Sequence, residues 1–123
     1  MARTILVVDD NETNLRLIKA VLQTRGYALM ASSDGESALA ALDAQMPDLV
    51  LLDVQMPGLS GLEVVRRLRT MPHTAHLPVV AITAMAMKGD REAIIGAGFD
   101  DYLAKPYRTA DVIAIVIKHL PPE

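Results

Sequence analysis

Four compact apolar runs punctuate the chain, Ile5 to Val8, Leu49 to Leu52, Val79 to Ile82 and Tyr102 to Ala104, with Ala28 to Ala31 a weaker fifth. They are continuous rather than alternating, which is the pattern of strands buried on both faces of a parallel sheet. Between them the period changes to that of a helix. Leu15, Ile18 and Leu22 share one stripe that ends at Gly26. Ser33 and Glu36 match a capping box and predict a second helix running through Leu39 and Leu42 towards Pro47. Ser60 and Glu63 repeat that signal ahead of a third helix expected to bury Leu62, Val65 and Leu68. A glycine-bounded fourth is expected near Asp90 to Ala97. A fifth is expected from about Thr109, carrying Val112, Ile113, Val116, Ile117 and Leu120 until Pro121 and Pro122 stop it.

Strands alternating with helices imply right-handed crossovers and a sheet covered on both faces, a three-layer α/β sandwich. The longest irregular stretch, Met71 to Pro78, is no more than a helix-to-strand loop. Residues 1–123 therefore read as one domain, a length long enough for a real core but too short for a second folded module.

Composition narrows the function classes. A formal net charge of -3 gives no general attraction to a phosphate backbone, and Tyr27, Phe99, Tyr102 and Tyr107 form no stacking series, so direct nucleic-acid binding is disfavoured. The chain has no cysteine, which excludes disulfides, thiolate metal sites and thiol nucleophiles. The apolar residues before Asp9 are too few for a signal peptide, and no run approaches the ~20 residues that span a bilayer. A soluble, cytoplasmic protein without membrane insertion is the expectation.

Chemistry enters at the ends of the apolar runs. Asp9 and Asp10 follow the first, Asp53 the third of the sheet, Thr83 the fourth and Lys105 the last. Each alone is an ordinary turn former, cap or solvated cation. In an open parallel sheet, however, the carboxyl ends of strands line one crevice, so five sequence-distant groups converge there. Carboxylates about 4 Å apart repel by roughly 4 kcal/mol at an effective dielectric near 20. A hard divalent cation relieves that repulsion while keeping them ionised, and an all-oxygen ligand set points to magnesium or manganese. Lys105 adds a positive charge that a metal alone would not require. The set suits phosphoryl transfer to a carboxylate nucleophile, with Thr83 able to hydrogen-bond a phosphoryl oxygen.

The segments Val7-Val8-Asp9-Asp10-Asn11, Leu51-Leu52-Asp53-Val54-Gln55-Met56-Pro57-Gly58, Ile82-Thr83-Ala84 and Ala104-Lys105-Pro106 resemble two-component response-regulator receiver domains in identity, order and spacing, over essentially the whole chain. The resemblance implies a flavodoxin-like fold with a five-stranded parallel sheet in the order 2-1-3-4-5. It implies that Asp53 is the phosphoacceptor, that Asp9, Asp10, Asp53 and the main-chain carbonyl of Gln55 hold Mg2+ (or Mn2+), and that Lys105 pairs with the phosphate. Thr83 and Tyr102 would be the switch pair, and the Lys105-Pro106 peptide would be cis. The implied partners are a histidine kinase or histidine phosphotransfer protein and a downstream signalling protein. Such a chain is a signalling switch that assists its own phosphotransfer and dephosphorylation, rather than an enzyme acting on outside substrates.

Met85-Ala86-Met87-Lys88-Gly89-Asp90 is similar to stand-alone DivK-type regulators and to receivers of hybrid histidine kinases, so a fragment of such a kinase is one alternative. Another is a haloacid dehalogenase-type aspartyl phosphatase, disfavoured because Gln55 stands where that class carries a second aspartate. Met85 is expected to limit hydrolytic water and prolong the phosphoryl group. Met85 and Met87 form either an adaptable partner surface or core filling. Ile94, Ile95, Ile113 and Ile117 are expected in the core by default, with an exposed helical face as the alternative. His73 and His76 read as a solvated loop, His119 as a favourable charge at a helix end, and Gly58 and Gly61 as backbone requirements at a turn and helix start.

Overall fold

Every apolar run forms a strand in the computed structural model, which describes residues 2–84 and 89–121. The ten elements are β1 (Thr4–Val8), α1 (Glu12–Gln23), β2 (Ala28–Ser32), α2 (Gly35–Ala44), β3 (Leu49–Asp53), α3 (Gly61–Thr70), β4 (Val79–Thr83), α4 (Asp90–Ala97), β5 (Asp101–Ala104) and α5 (Thr109–His119). All strand pairs are parallel, in the order β2-β1-β3-β4-β5. Met85 and Met87 lie outside the described residues.

The continuous apolar runs follow from the layering. Successive residues of a strand point to opposite faces, and both faces are covered. Leu6 and Val8 of β1 pack with Val50, Leu52, Ala38, Leu42, Val64, Leu68 and Ile94 on the side of α2, α3 and α4. Ile5 and Val7 pack with Leu49, Leu51, Ile18, Leu22, Val112 and Val116 on the side of α1 and α5. β3 and β4 are buried at every position, whereas the edge strand β2 leaves Ala28 and Ala31 exposed, which is why its apolar signal is the weakest.

The helices depart from expectation in their caps and flanks. Asp34, not Ser33, caps α2, its carboxylate accepting from Ser37 N at 2.7 Å. A carboxylate is the stronger partner for the exposed first-turn N–H groups, and that bond holds Asp34 below the usual aspartate range. Ser60 does cap α3, accepting from Glu63 N at 3.3 Å. In α3 the buried stripe is Val64, Val65 and Leu68, with Leu62 only half-buried on the flank, because Val64 and Leu68 lie one turn apart. Val112 and Val116 of α5, continued by Leu120 just past its end, follow the same four-residue spacing. Ile94 is core as expected, Ile113 is half-buried, and Ile95 (41%) and Ile117 (39%) are exposed.

The loop between α3 and β4 is held by Arg69. Its guanidinium donates to the carbonyls of Thr74, Ala75, Leu77 and Gly98, the Leu77 bond being 2.7 Å and the Gly98 bond 2.9 Å. It also pairs with Asp100 Oδ2 at 2.9 Å, and the same oxygen accepts from Val79 N at 2.8 Å. His73 and His76 are on this loop and both are exposed, as expected of a solvated segment. His119 does more than sit at a helix end: its Nε2 lies 3.1 Å from Asp101 Oδ2, which Lys118 Nζ also meets at 2.8 Å. Among the described residues, no helix is long and apolar enough to cross a membrane.

Candidate functional site

Register brings the polar strand ends together. Val8 pairs with Leu52, Asp53 with Ile82, and Thr83 with Ala104, so Asp9, Asp53, Thr83 and Lys105 all emerge at the carboxyl end of the sheet. Because β1 lies between β2 and β3, the chain leaves β1 and β3 towards opposite faces and opens a crevice there. Asp9 is fully buried, and its Oδ1 accepts from Asn11 N at 2.8 Å. Asn11 in turn caps α1 by accepting from Asn14 N at 3.0 Å, so one short turn both starts the helix and orients Asp9. Asp10 is exposed at the rim. Ligand atoms of Asp9, Asp10 and Asp53 lie within 4.8 Å of one another.

Asp53 is 1% exposed. Its Oδ1 accepts from Gln55 N at 3.0 Å and its Oδ2 from Lys105 Nζ at 3.1 Å. Burial pushes its carboxyl above the ordinary aspartate range and the charge of Asp9 adds to this, while the Gln55 N–H and Lys105 pull the other way without cancelling it. The β3–α3 loop is pinned around it: Val54 N donates to Ile82 O at 2.9 Å and Gly61 N to Val54 O at 3.0 Å. Gly61 is required by this approach, since a Cβ there would press on the Asp53 carbonyl oxygen and lie 2.8 Å from Val54 Cα. That is the backbone reason anticipated for Gly61, and Gly58 sits at φ 74 in the same turn.

Thr83 ends β4 fully buried, and Lys105 N donates to Thr83 O at 2.8 Å, which sets the start of the lysine beside the threonine. The Lys105-Pro106 peptide is cis. Tyr102 is half-buried on β5, with the Arg91 guanidinium carbon 5.7 Å from its ring centroid. Among the described residues, two buried side-chain atoms lack a hydrogen-bond partner, Asp9 Oδ2 and Tyr107 OH. A buried carboxylate oxygen left unpaired beside two further carboxylates is what a hard cation would satisfy, so Asp9, Asp10 and Asp53 fit a metal. Nothing in the sequence pattern singles out Tyr107 for chemistry. Its hydroxyl is raised to about 12 by burial first and then by the charges of Asp9 and Asp53.

The response regulator receiver domain model matches residues 5–117. Response regulator PleD of Caulobacter vibrioides is 46% identical over 106 residues, 86% of this chain but 23% of that protein, so the chain spans about a quarter of this relative's length. The polar-differentiation response regulator DivK of Brucella anthropi is 37% identical over 120 residues, covering 98% of each chain. Among solved structures, the receiver domain of a sensor histidine kinase from Pseudomonas aeruginosa, described with a magnesium ion coordinated in its active site cleft, superposes with a TM-score of 0.89 at 34% identity, covering 99% of this chain and 100% of that one. These matches run through the whole parallel sheet and the acidic crevice, and neither the fold nor the relatives favour a phosphatase. The chain belongs to the response regulator receiver domain family.

Proposed function

We propose that residues 1–123 form one receiver domain in which Asp53 accepts a phosphoryl group from a phosphohistidine of a histidine kinase or histidine phosphotransfer protein. The observation that carries this reading is a buried Asp53 carboxylate paired to Lys105 at 3.1 Å in a crevice it shares with Asp9 and Asp10. A carboxylate oxygen of Asp53 attacks phosphorus as the P–N bond breaks, and the imidazole leaves with the bonding pair. Being an anion already, Asp53 needs no base. Asp9, Asp10, Asp53 and the main-chain carbonyl of Gln55 would hold Mg2+, with Mn2+ as a substitute. When bound, that ion neutralises charge on the phosphoryl oxygens.

Lys105 then exchanges its Asp53 contact for a phosphoryl oxygen, and the Thr83 hydroxyl donates to another. Movement of Thr83 leaves room for Tyr102 to turn inward, which changes the surface around β5 and with it the affinity for a downstream signalling protein. The domain is a switch that assists its own phosphorylation and dephosphorylation, working in the cytoplasm. The test is intact-protein mass spectrometry after incubation with a small acyl phosphate and Mg2+. One phosphoryl group per chain is expected in the wild type and none in Asp53→Ala. No labelling of wild type across several donors, or equal labelling of the variant, would overturn the reading.

A further inference from the structure

Helix α4 is lightly anchored. Among the described residues it buries Ile94 alone, where α3 buries Gly61, Val64, Val65 and Leu68, and its N-cap Gly89 brings no side-chain bond to the first turn. That turn nonetheless makes a specific contact with the sheet. The guanidinium carbon of Arg91 lies over the ring of Tyr102 on β5, 5.7 Å from its centroid, within the reach of a cation–π attraction. Tyr102 is half-buried and packs against the core on the α2, α3 and α4 side, while Arg91 is exposed, so the ring is held between the core and a solvated cation. Arg91 stands three residues before Ile94, on the side of α4 that turns to the sheet, where an apolar residue would be ordinary. A planar guanidinium suits that place because it stacks on an aromatic face.

We propose that Arg91 is a positioning residue for Tyr102, holding its ring at the α4 edge and so biasing the domain against the inward-turned state that phosphorylation of Asp53 favours. The inference rests on the reading of Tyr102 as the switch partner of Thr83. A contact made in only one of two states shifts their equilibrium by its own free energy, which for an exposed cation–π pair is about two- to fivefold. Turning the ring inward breaks the contact and frees the first turn of α4, which couples that helix to the acceptor site.

The test follows the Tyr102 ring by NMR of ring-labelled tyrosine and measures affinity for beryllofluoride, a tetrahedral phosphoryl mimic, in saturating Mg2+. Wild type is compared with Arg91→Gln, which keeps a polar stem without the cation, and with Arg91→Lys, which keeps the charge. Arg91→Gln should shift the Tyr102 signals of the free protein and leave those of Tyr27 and Tyr107 in place. It should also tighten beryllofluoride binding about two- to fivefold. That direction is informative, because losing a positive charge would by itself weaken binding of an anion. Arg91→Lys should stay nearer wild type, and in a Tyr102→Leu background Arg91→Gln should bring no gain. Affinity unchanged or weakened in Arg91→Gln, or a gain that survives in Tyr102→Leu, would overturn the role of Arg91 while leaving the switch reading intact. A wild type that binds no beryllofluoride, or binds it without moving Tyr102, would overturn the acceptor or the switch reading respectively, and this inference with either.

Discussion

Asp53→Asn keeps the shape of the Asp53 side chain and removes its charge, and without metal it should stabilise the fold. At the 4.8 Å bound on ligand-atom separation, an Asp9–Asp53 pair repels by about 3.5 kcal/mol at an effective dielectric near 20. The Asp10 pair adds less, because Asp10 is exposed and screened. Lys105 at 3.1 Å returns about 5 kcal/mol on the same scale, so the charge pairs nearly cancel. What remains is the desolvation of a carboxylate only 1% exposed, several kcal/mol in effective terms, offset by one backbone N–H bond from Gln55 of about 1.5–3 kcal/mol. The balance is unfavourable by about 2 kcal/mol, in keeping with a carboxyl raised above its ordinary range.

The assay is thermal unfolding of both proteins in chelator and in saturating Mg2+, across pH. In chelator at neutral pH the variant should melt higher by about 6–10 °C, at roughly 3–5 °C per kcal/mol for a domain of this size. Because the folded state holds the Asp53 proton more tightly than the unfolded one, the wild type loses stability as pH rises from 3.8 through the raised value. The gap between the proteins should therefore close towards pH 4. In saturating Mg2+ it should narrow or reverse, since the wild type offers three carboxylates to the ion and the variant two. A variant no more stable than wild type in chelator would refute the claim that this carboxylate is held under electrostatic strain.

Contacts elsewhere in the fold carry the opposite sign. Arg69→Met removes the bonds to Gly98, Leu77 and Asp100 together and should cost about 3 kcal/mol or more, read as a lower urea midpoint with the slope unchanged. Gly61→Ala should lower stability by at least about 2 kcal/mol and slow Asp53 labelling, because its Cβ, 2.8 Å from Val54 Cα, forces the acceptor loop to shift. Asp101→Asn should cost no more than about 1 kcal/mol at neutral pH, given the exposure of Lys118. Although burial opposes it, Lys118, His119 and the Tyr102 N–H hold Asp101 below its ordinary 3.8. Its contribution is thus present above 3.8 and lost as pH falls through the lowered value, opposite in direction to that of Asp53.

The strands and the acidic crevice were legible because both follow from local rules. An apolar run between helical segments has one stable place, inside a parallel sheet, and the residue after it must emerge at the carboxyl edge. Asp9, Asp53, Thr83 and Lys105 needed nothing more to be brought together. Arg69 needed much more: its carboxylate partner Asp100 lies 31 residues away and its carbonyl partners carry no side-chain signature. Asp101 and His119 meet only because β5 and α5 pack face to face. The Asp34 cap was hidden by a neighbouring serine with an equally good spacing, and the buried Tyr107 hydroxyl by the ring's resemblance to any core aromatic, since burial of one oxygen atom leaves no mark on hydrophobic pattern.

The placement of the aspartates shows why an acidic cluster that could hold a metal gathers at the carboxyl end of the sheet. At the amino-terminal ends of strands the backbone presents unpaired N–H groups, and aspartates there cap them: Asp48 Oδ2 accepts from Thr4 N at 2.8 Å and Asp100 Oδ2 from Val79 N at 2.8 Å. At the carboxyl ends the strands present carbonyl oxygens instead, which adds negative potential to whatever acids gather there. Asp9 and Asp53 find one loop N–H each, leaving Asp9 Oδ2 bare and Asp53 dependent on Lys105. One residue type is therefore a stabiliser at one edge and a strained group at the other. Asp100→Asn and Asp53→Asn, measured side by side in chelator, should shift the melting temperature in opposite directions, and added Mg2+ should move wild type and Asp100→Asn together while moving Asp53→Asn least.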